Sequence, residues 1–128
     1  RQALKEAGVE DSNIYVNAHG TSTQLNDKME TKAMKKAFGA RAKDISISST
    51  KSMTGHTLGA AGAIEFIACC LVVKNKVVPP TMNLDNPDSE CDLDYTPNKA
   101  KERDINVAMS NSLGFGGHNA SLVMKELK

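Results

Sequence analysis

Four residues carry the chemistry this chain can support: His19, Lys51, His56 and Glu65. His19 opens the small-residue loop His19-Gly20-Thr21-Ser22-Thr23, directly after the strand-like run NIYVNA. His56 closes Lys51-Ser52-Met53-Thr54-Gly55-His56, directly after the alternating run DISISS. In parallel α/β topology such loops leave the same edge of the sheet, where ligands bind, so the two rings are expected to converge. Two neutral imidazoles aimed at one point can donate N–H bonds to an oxygen that becomes negative, an oxyanion-type arrangement. His56 also lies at the start of a helix, whose positive end disfavours the imidazolium. The plainer alternative is that each ring satisfies a nearby backbone carbonyl.

That helix, expected over residues 57–73, is apolar on nearly every side and is therefore expected to be buried rather than amphipathic. Glu65 sits in its middle. An unpaired buried carboxylate is very costly, and Lys51, arriving from the strand that feeds the same helix, is the natural partner.

The elements that must hold these groups read off in order. Residues 1–7 end an amphipathic helix capped by Gly8, residues 13–18 form a strand, and residues 27–38 form a second helix stopped by Gly39. Residues 44–49 form the next strand, which leads into the apolar helix. Alternation of helix and strand points to parallel strands with crossover helices. A Pro/Asn/Asp-rich connection over 77–88 wraps the surface, and strands over 105–110 and 120–124 form an antiparallel hairpin. The hairpin loop holds Leu113-Gly114-Phe115-Gly116-Gly117-His118. It joins two strands rather than a strand and a helix, so a phosphate cradle is a poor reading. Its glycines instead allow backbone amides to approach a substrate, with Phe115 as an apolar gate, or they simply make a turn.

With 128 residues, 40% of them hydrophobic, and a net charge of +1, the chain is one soluble globular domain. It lacks the basic stripe and interleaved aromatics of a nucleic-acid binder. The apolar helix is short for a bilayer span and carries Glu65, so no membrane is expected. The three cysteines lack metal or disulfide spacing, which implies a reducing compartment, cytoplasmic or organellar. None reads as a nucleophile: Cys69 and Cys70 are expected to pack as small hydrophobes, and Cys91 lies in an acidic loop. A metal site of His19, His56 and His118 lacks an acidic or thiolate ligand with suitable spacing, and no metal or cofactor is expected. The chain opens on a helix already under way, without an initiator Met, as a piece of a longer protein would.

Four stretches taken together, VNAHGTSTQLND, SSTKSMTGHTLGAAGAIE, VPPTMNLDNPD and NSLGFGGHNASLVM, closely resemble the C-terminal half of the β-ketoacyl-acyl-carrier-protein synthase II family. These are condensing enzymes of fatty acid synthesis. The resemblance runs over essentially the whole chain, in the family's order. It implies a thiolase-like half: an α/β/α layered α/β fold on a mixed five-stranded sheet, with residues 1–128 as the C-terminal domain. It also implies that the nucleophilic Cys belongs to an N-terminal half not contained here, so that this chain alone is inactive. The implied partners are that half, acyl carrier protein bearing acyl and malonyl groups, and a second copy in a homodimer.

By resemblance, His19 and His56 stabilise the enolate oxygen of the malonyl thioester, Lys51 is the active-site lysine, and Glu65 holds it. Phe115, flanked by Gly114 and Gly116, is the gating aromatic, whose N–H shares an oxyanion hole with the absent Cys. Asp27, with Thr21 and Thr23, belongs to the structural surroundings of the first histidine. Gln24 stands where the family commonly has Pro, and Leu113 where Phe usually precedes Gly-Phe-Gly-Gly. HGTST and TKSMTGH favour fatty acid synthesis over a polyketide relative. A non-catalytic thiolase-like module binding a carrier protein or partner chain is the alternative from another class.

Overall fold

The computed structural model describes residues 1–9 and 12–127. Helix α1, Gln2–Ala7, ends at Gly8, whose left-handed backbone (φ 63°) turns its N–H back to the carbonyls of Leu4 and Lys5. Strand β1, Ile14–Asn17, leads through the His19 loop into helix α2, Gln24–Phe38. A 3-10 turn, Gly39–Lys43, feeds strand β2, Ser46–Ser48. Next come the short helix α3, Lys51–Thr54, a 3-10 turn at Leu58–Ala60, and helix α4, Ala61–Asn75. Strands β3 (Val77–Val78) and β4 (Lys101–Glu102) are brief, and the chain closes on β5, Val107–Leu113, and β6, Asn119–Lys125. Each expected element over 1–75 and 105–124 is present, with ends shifted by up to four residues.

The main sheet has the order β2-β1-β5-β6, with β1 parallel to β2 and β5, and β5 antiparallel to β6. Alternation along each strand sends side chains to two helical layers. Ile14 and Val16 of β1 and Val107 and Met109 of β5 join Leu4 of α1 and Met34 of α2 in one core. Tyr15 and Ala108 point the other way, onto Cys69, Val72 and Val73 of α4. The chain is thus an α/β/α sandwich, which places the C-terminal ends of β1 and β2 side by side.

Two expectations need correction. The sheet has four strands, with β3 and β4 as a separate antiparallel pair, rather than five. Pro79 and Pro80 follow β3 and lack the N–H groups that a fifth strand would need. Threonine hydroxyls serve the free edge of β2 instead: Thr81 Oγ1 accepts from the Ser49 N–H (3.1 Å), and Thr96 Oγ1 donates to the Ile47 carbonyl (2.8 Å).

Helix α4 is also not buried all round. Glu65, Cys69, Val72 and Val73 form its inward stripe, while Ile64 (36%), Phe66 (43%), Ile67 (60%) and Leu71 (50%) are exposed. Cys70 is exposed with them, contrary to the expected packing. One helix face meets the sheet, and no second layer among the described residues covers the other. The stretch Leu58–Asn75 is long and apolar enough to cross a bilayer by length and composition. Its buried Glu65, paired within this fold, marks it as a core helix instead.

Candidate active site

The parallel pairing of β1 and β2 brings the two histidine loops together. The rings of His19 and His56 lie edge to face, with centroids 5.5 Å apart. Gly20 sits where the loops touch. Its φ is +41°, and a Cβ there would lie 2.6 Å from that of Ser49, so only glycine fits. Ser49 Oγ donates to the Gly20 carbonyl (3.0 Å), tying one loop to the other. Past His56, Leu58 adopts a left-handed conformation (φ 52°) and donates its N–H to His56 Nδ1 (3.1 Å). That bond makes Nδ1 the acceptor, so the proton of the neutral ring is on Nε2. His19 is nearly buried, and its Nδ1 has no hydrogen-bond partner among the described residues. Burial first, then the Lys51 charge and His56, pushes the His19 imidazole below its usual pKa and keeps it neutral at pH 7.

Lys51 and Glu65 form the expected ion pair, with side chains only 5% and 2% exposed. Ser110 Oγ of β5 donates to the second Glu65 oxygen (3.1 Å). Behind them, Asn17 Oδ1 accepts from the Thr50 N–H (3.3 Å) and Asn17 Nδ2 donates to Thr50 Oγ1 (3.0 Å), holding the end of β2 against β1. The pair is thereby satisfied inside the core, as a buried pair must be.

A third acid does work that spacing did not suggest. Glu30, on the buried stripe of α2, accepts the N–H groups of His19 and Gly20, one on each carboxylate oxygen and each at 3.0 Å. Asn111 Nδ2 of β5 adds a bond at 3.3 Å, and Ser121 Oγ of β6 donates to Asn111 Oδ1 (2.8 Å). Burial raises the Glu30 pKa, although these donors oppose the shift. Asp27, the acid expected near His19, lies beside the cavity and adds a weaker charge effect on that ring. Thr21 and Thr23 share a hydrogen bond (3.2 Å) at the exposed end of the loop. A cavity of about 450 Å³ adjoins Lys51 and His56 and runs between α2 and residues 81–95.

This arrangement of loops has a counterpart among known proteins. The family model for "Beta-ketoacyl synthase, C-terminal domain" matches residues 1–85. The chain belongs to the β-ketoacyl synthase family. It is 55% identical over 127 residues to the 3-oxoacyl-[acyl-carrier-protein] synthase 2 of Staphylococcus aureus strain COL, covering 98% of this chain and 31% of that protein. The synthase of the same name from Synechocystis is 53% identical over 125 residues, which cover 97% of this chain and 30% of the relative. The β-ketoacyl synthase chain therefore spans less than a third of the length of these relatives. Among solved structures, it superposes with a TM-score of 0.93 and 44% identity on a complex described as a type II polyketide synthase acyl-carrier protein with its ketosynthase bound to the hexaketide. The match covers 99% of this chain and 31% of that one. The layering is that of the thiolase-like ketosynthases.

Of the other expected site residues, Phe115, Gly114 and Gly116 lie on the β5–β6 hairpin. Gly114 N–H donates to the His118 carbonyl (2.6 Å), and Gly116 takes a left-handed φ of 75°. The Phe115 side chain is fully exposed, so this β-ketoacyl synthase chain alone does not seat it against the histidines. The link from hairpin to histidines runs instead through Asn111 and Glu30. Among the described residues no group of three or more His, Cys, Asp or Glu is placed to hold a metal ion, and His118 does not join His19 and His56 in one. Burial pushes the Cys69 thiol up to about 12.

Proposed function

We propose that residues 1–128 form the C-terminal thiolase-like domain of a 3-oxoacyl-[acyl-carrier-protein] synthase, and that it supplies the enolate-stabilising half of a decarboxylative condensation. The observation that carries this reading is the pair of imidazoles 5.5 Å apart beside a buried Lys51–Glu65 pair. Loss of CO2 from a malonyl thioester moves an electron pair onto the thioester carbonyl, whose oxygen becomes negative. His56 Nε2–H and the neutral His19 ring stabilise that enolate more than the ground-state carbonyl, which lowers the barrier. The carbanion carbon then attacks an acyl thioester held on a Cys outside this chain, and the thiolate leaves. Lys51, fixed by Glu65, keeps positive charge near the His19 ring and disfavours its protonation.

The partners in this reading are acyl carrier protein, which presents the malonyl and acyl groups, and the N-terminal half of the same enzyme. That half supplies the Cys and covers the exposed apolar face of α4. The Phe115 backbone N–H faces the acyl carbonyl once both halves are assembled, and the enzyme is a homodimer in a reducing compartment. Identity to fatty acid synthases exceeds that to the polyketide ketosynthase, 55% against 44%, and supports a fatty acyl substrate.

In the full-length enzyme, His19→Ala and His56→Ala are each expected to suppress malonyl decarboxylation while acylation of the nucleophilic Cys persists. Parallel loss of both steps would overturn the assigned role. The chain alone is expected to accept no acyl group from acyl carrier protein, checked by mass spectrometry of Cys69, Cys70 and Cys91.

A further inference from the structure

The segment between Leu84 and Tyr95 crosses the cavity beside Lys51 and His56, and it is held in two different ways. Its ends are anchored to parts of the chain other than the charged face of α2: Asp85 Oδ1 accepts from Asn98 Nδ2 (2.9 Å), Asp94 pairs with Lys101 (2.8 Å), and the remaining anchors are uncharged. Leu84 exchanges hydrogen bonds with the Asn98 side chain (3.2 Å each), and Leu93 and Tyr95 pack on the core. The Tyr95 hydroxyl bonds Thr31, and its carbonyl accepts from Thr81 Oγ1 (2.7 Å). The middle is held to α2 by charge: Lys28 pairs with Asp88 (3.3 Å) and Glu90, Lys32 approaches Glu90 (3.8 Å), and Lys35 pairs with Asp92. Within the segment, Cys91 N–H donates to the Asp88 carbonyl and Glu90 N–H to Asp88 Oδ1, both 2.9 Å, so the turn keeps its own shape. Pro87, Asp88 and Cys91 line the cavity from this side.

We propose that residues 85–92 form an ionically latched strap, which lifts from α2 as a unit and opens a side entrance for small neutral solutes to the cavity beside Lys51 and His56. Exposed ion pairs hold weakly and are screened by salt, whereas the anchors at either end also hold through apolar packing and through hydrogen bonds to Asn98, Thr31 and Thr81. Opening therefore costs only the latch and leaves both cores intact, a local opening of the lowest-energy kind. The route is separate from the Gly-Phe-Gly-Gly hairpin on the far strands. The proposal goes beyond the condensing reading and does not depend on it, since the latch chemistry is the same whatever the histidines do.

Cys91 reports on the latch. In the full-length enzyme, its alkylation by iodoacetamide, an uncharged reagent, is followed peptide by peptide with mass spectrometry. The rate is expected to rise about tenfold between ~0.02 M and ~1 M salt, as the summed weight of several exposed ion pairs is screened. The double variant Lys28→Met, Lys35→Met is expected to react at low salt near the high-salt rate and to lose the dependence. Cys69, buried against the sheet, serves as the internal control and is expected to stay protected throughout. A Cys91 rate indifferent to salt, an undiminished salt response in the double variant, or Cys69 reacting in step with Cys91 would each overturn the latch.

Discussion

Helices α2 and α4 have the same length, 15 residues, and flank the same sheet, yet they are finished differently. Each carries a buried glutamate on its inner stripe. Glu30 holds the backbone of the His19 loop from one side, and Glu65 holds Lys51 beside the His56 loop from the other. The outer faces differ. That of α2 carries Lys28, Lys32, Lys35 and Lys36, the first three paired with acids of residues 88–92, whereas that of α4 shows Ile64, Phe66, Ile67 and Leu71. An outer-layer helix is completed by water, and an inner-layer helix needs a second protein layer. The contrast is the one expected if, as proposed, a second half of the enzyme covers α4 and leaves α2 at the surface.

The sharpest test of that contrast is Glu65→Ala, which leaves Lys51 charged and unpaired in the core. It is expected to destabilise by about 3–5 kcal/mol in denaturant unfolding. A loss below about 1 kcal/mol would reduce the pair to surface quality. Next comes the outer face of α4. In the full-length enzyme Ile67→Asp is expected to cost about 3 kcal/mol or more, because the new carboxylate is buried without a partner. The equivalent change on α2, Met29→Asp, is expected to stay within about 0.5 kcal/mol, since Met29 is exposed on a finished face. Equal costs at the two positions would erase the distinction between the helices.

Glu30→Ala is expected to fall between these, at about 1–3 kcal/mol, because the N–H groups of His19 and Gly20 lose their acceptor. Glu30→Gln keeps the shape but turns an amide donor toward one of those N–H groups. It is expected to slow decarboxylation while leaving Cys acylation in place, as a positioning residue for His19 alone would.

The smallest effect is a pH slope. The His19 pKa is lowered in the folded chain, so its contribution is present above the ordinary imidazole value of 6.5 and is lost as pH falls below it. The unfolded chain binds the proton first. His19→Gln is expected to flatten the stability profile in that acidic window.

The histidine loops and the Lys51–Glu65 pair were legible in the sequence because each follows a local rule. A loop after a parallel strand exits at one edge, and a carboxylate in an apolar helix demands a cation. Glu30 escaped because its partners are backbone amides of another element and a side chain 81 positions away in Asn111. Its position beside Thr31 and Met34, on the inner stripe of an otherwise polar helix, was the available signal. The fifth strand was expected from likeness, where Pro79 and Pro80 argued against it. For α4, uniform apolarity was read as burial on every side, yet only the stripe of Glu65, Cys69, Val72 and Val73 is buried, because apolarity alone does not say which face meets the sheet. Phe115 was singled out from its loop, yet its side chain stands fully exposed and is not seated against the histidines.

The threonine hydroxyls along the rim of β2 have a consequence for how copies of this molecule meet. An unguarded strand edge is a template on which another chain can add itself, the first step toward aggregation. Here Thr81 and Thr96 occupy the outward Ser49 amide and Ile47 carbonyl, and the neighbouring prolines offer nothing to template on. Self-association by strand addition is thereby steered away from this side, and the opposite margin, along β6, is left as the one where the sheet can be extended.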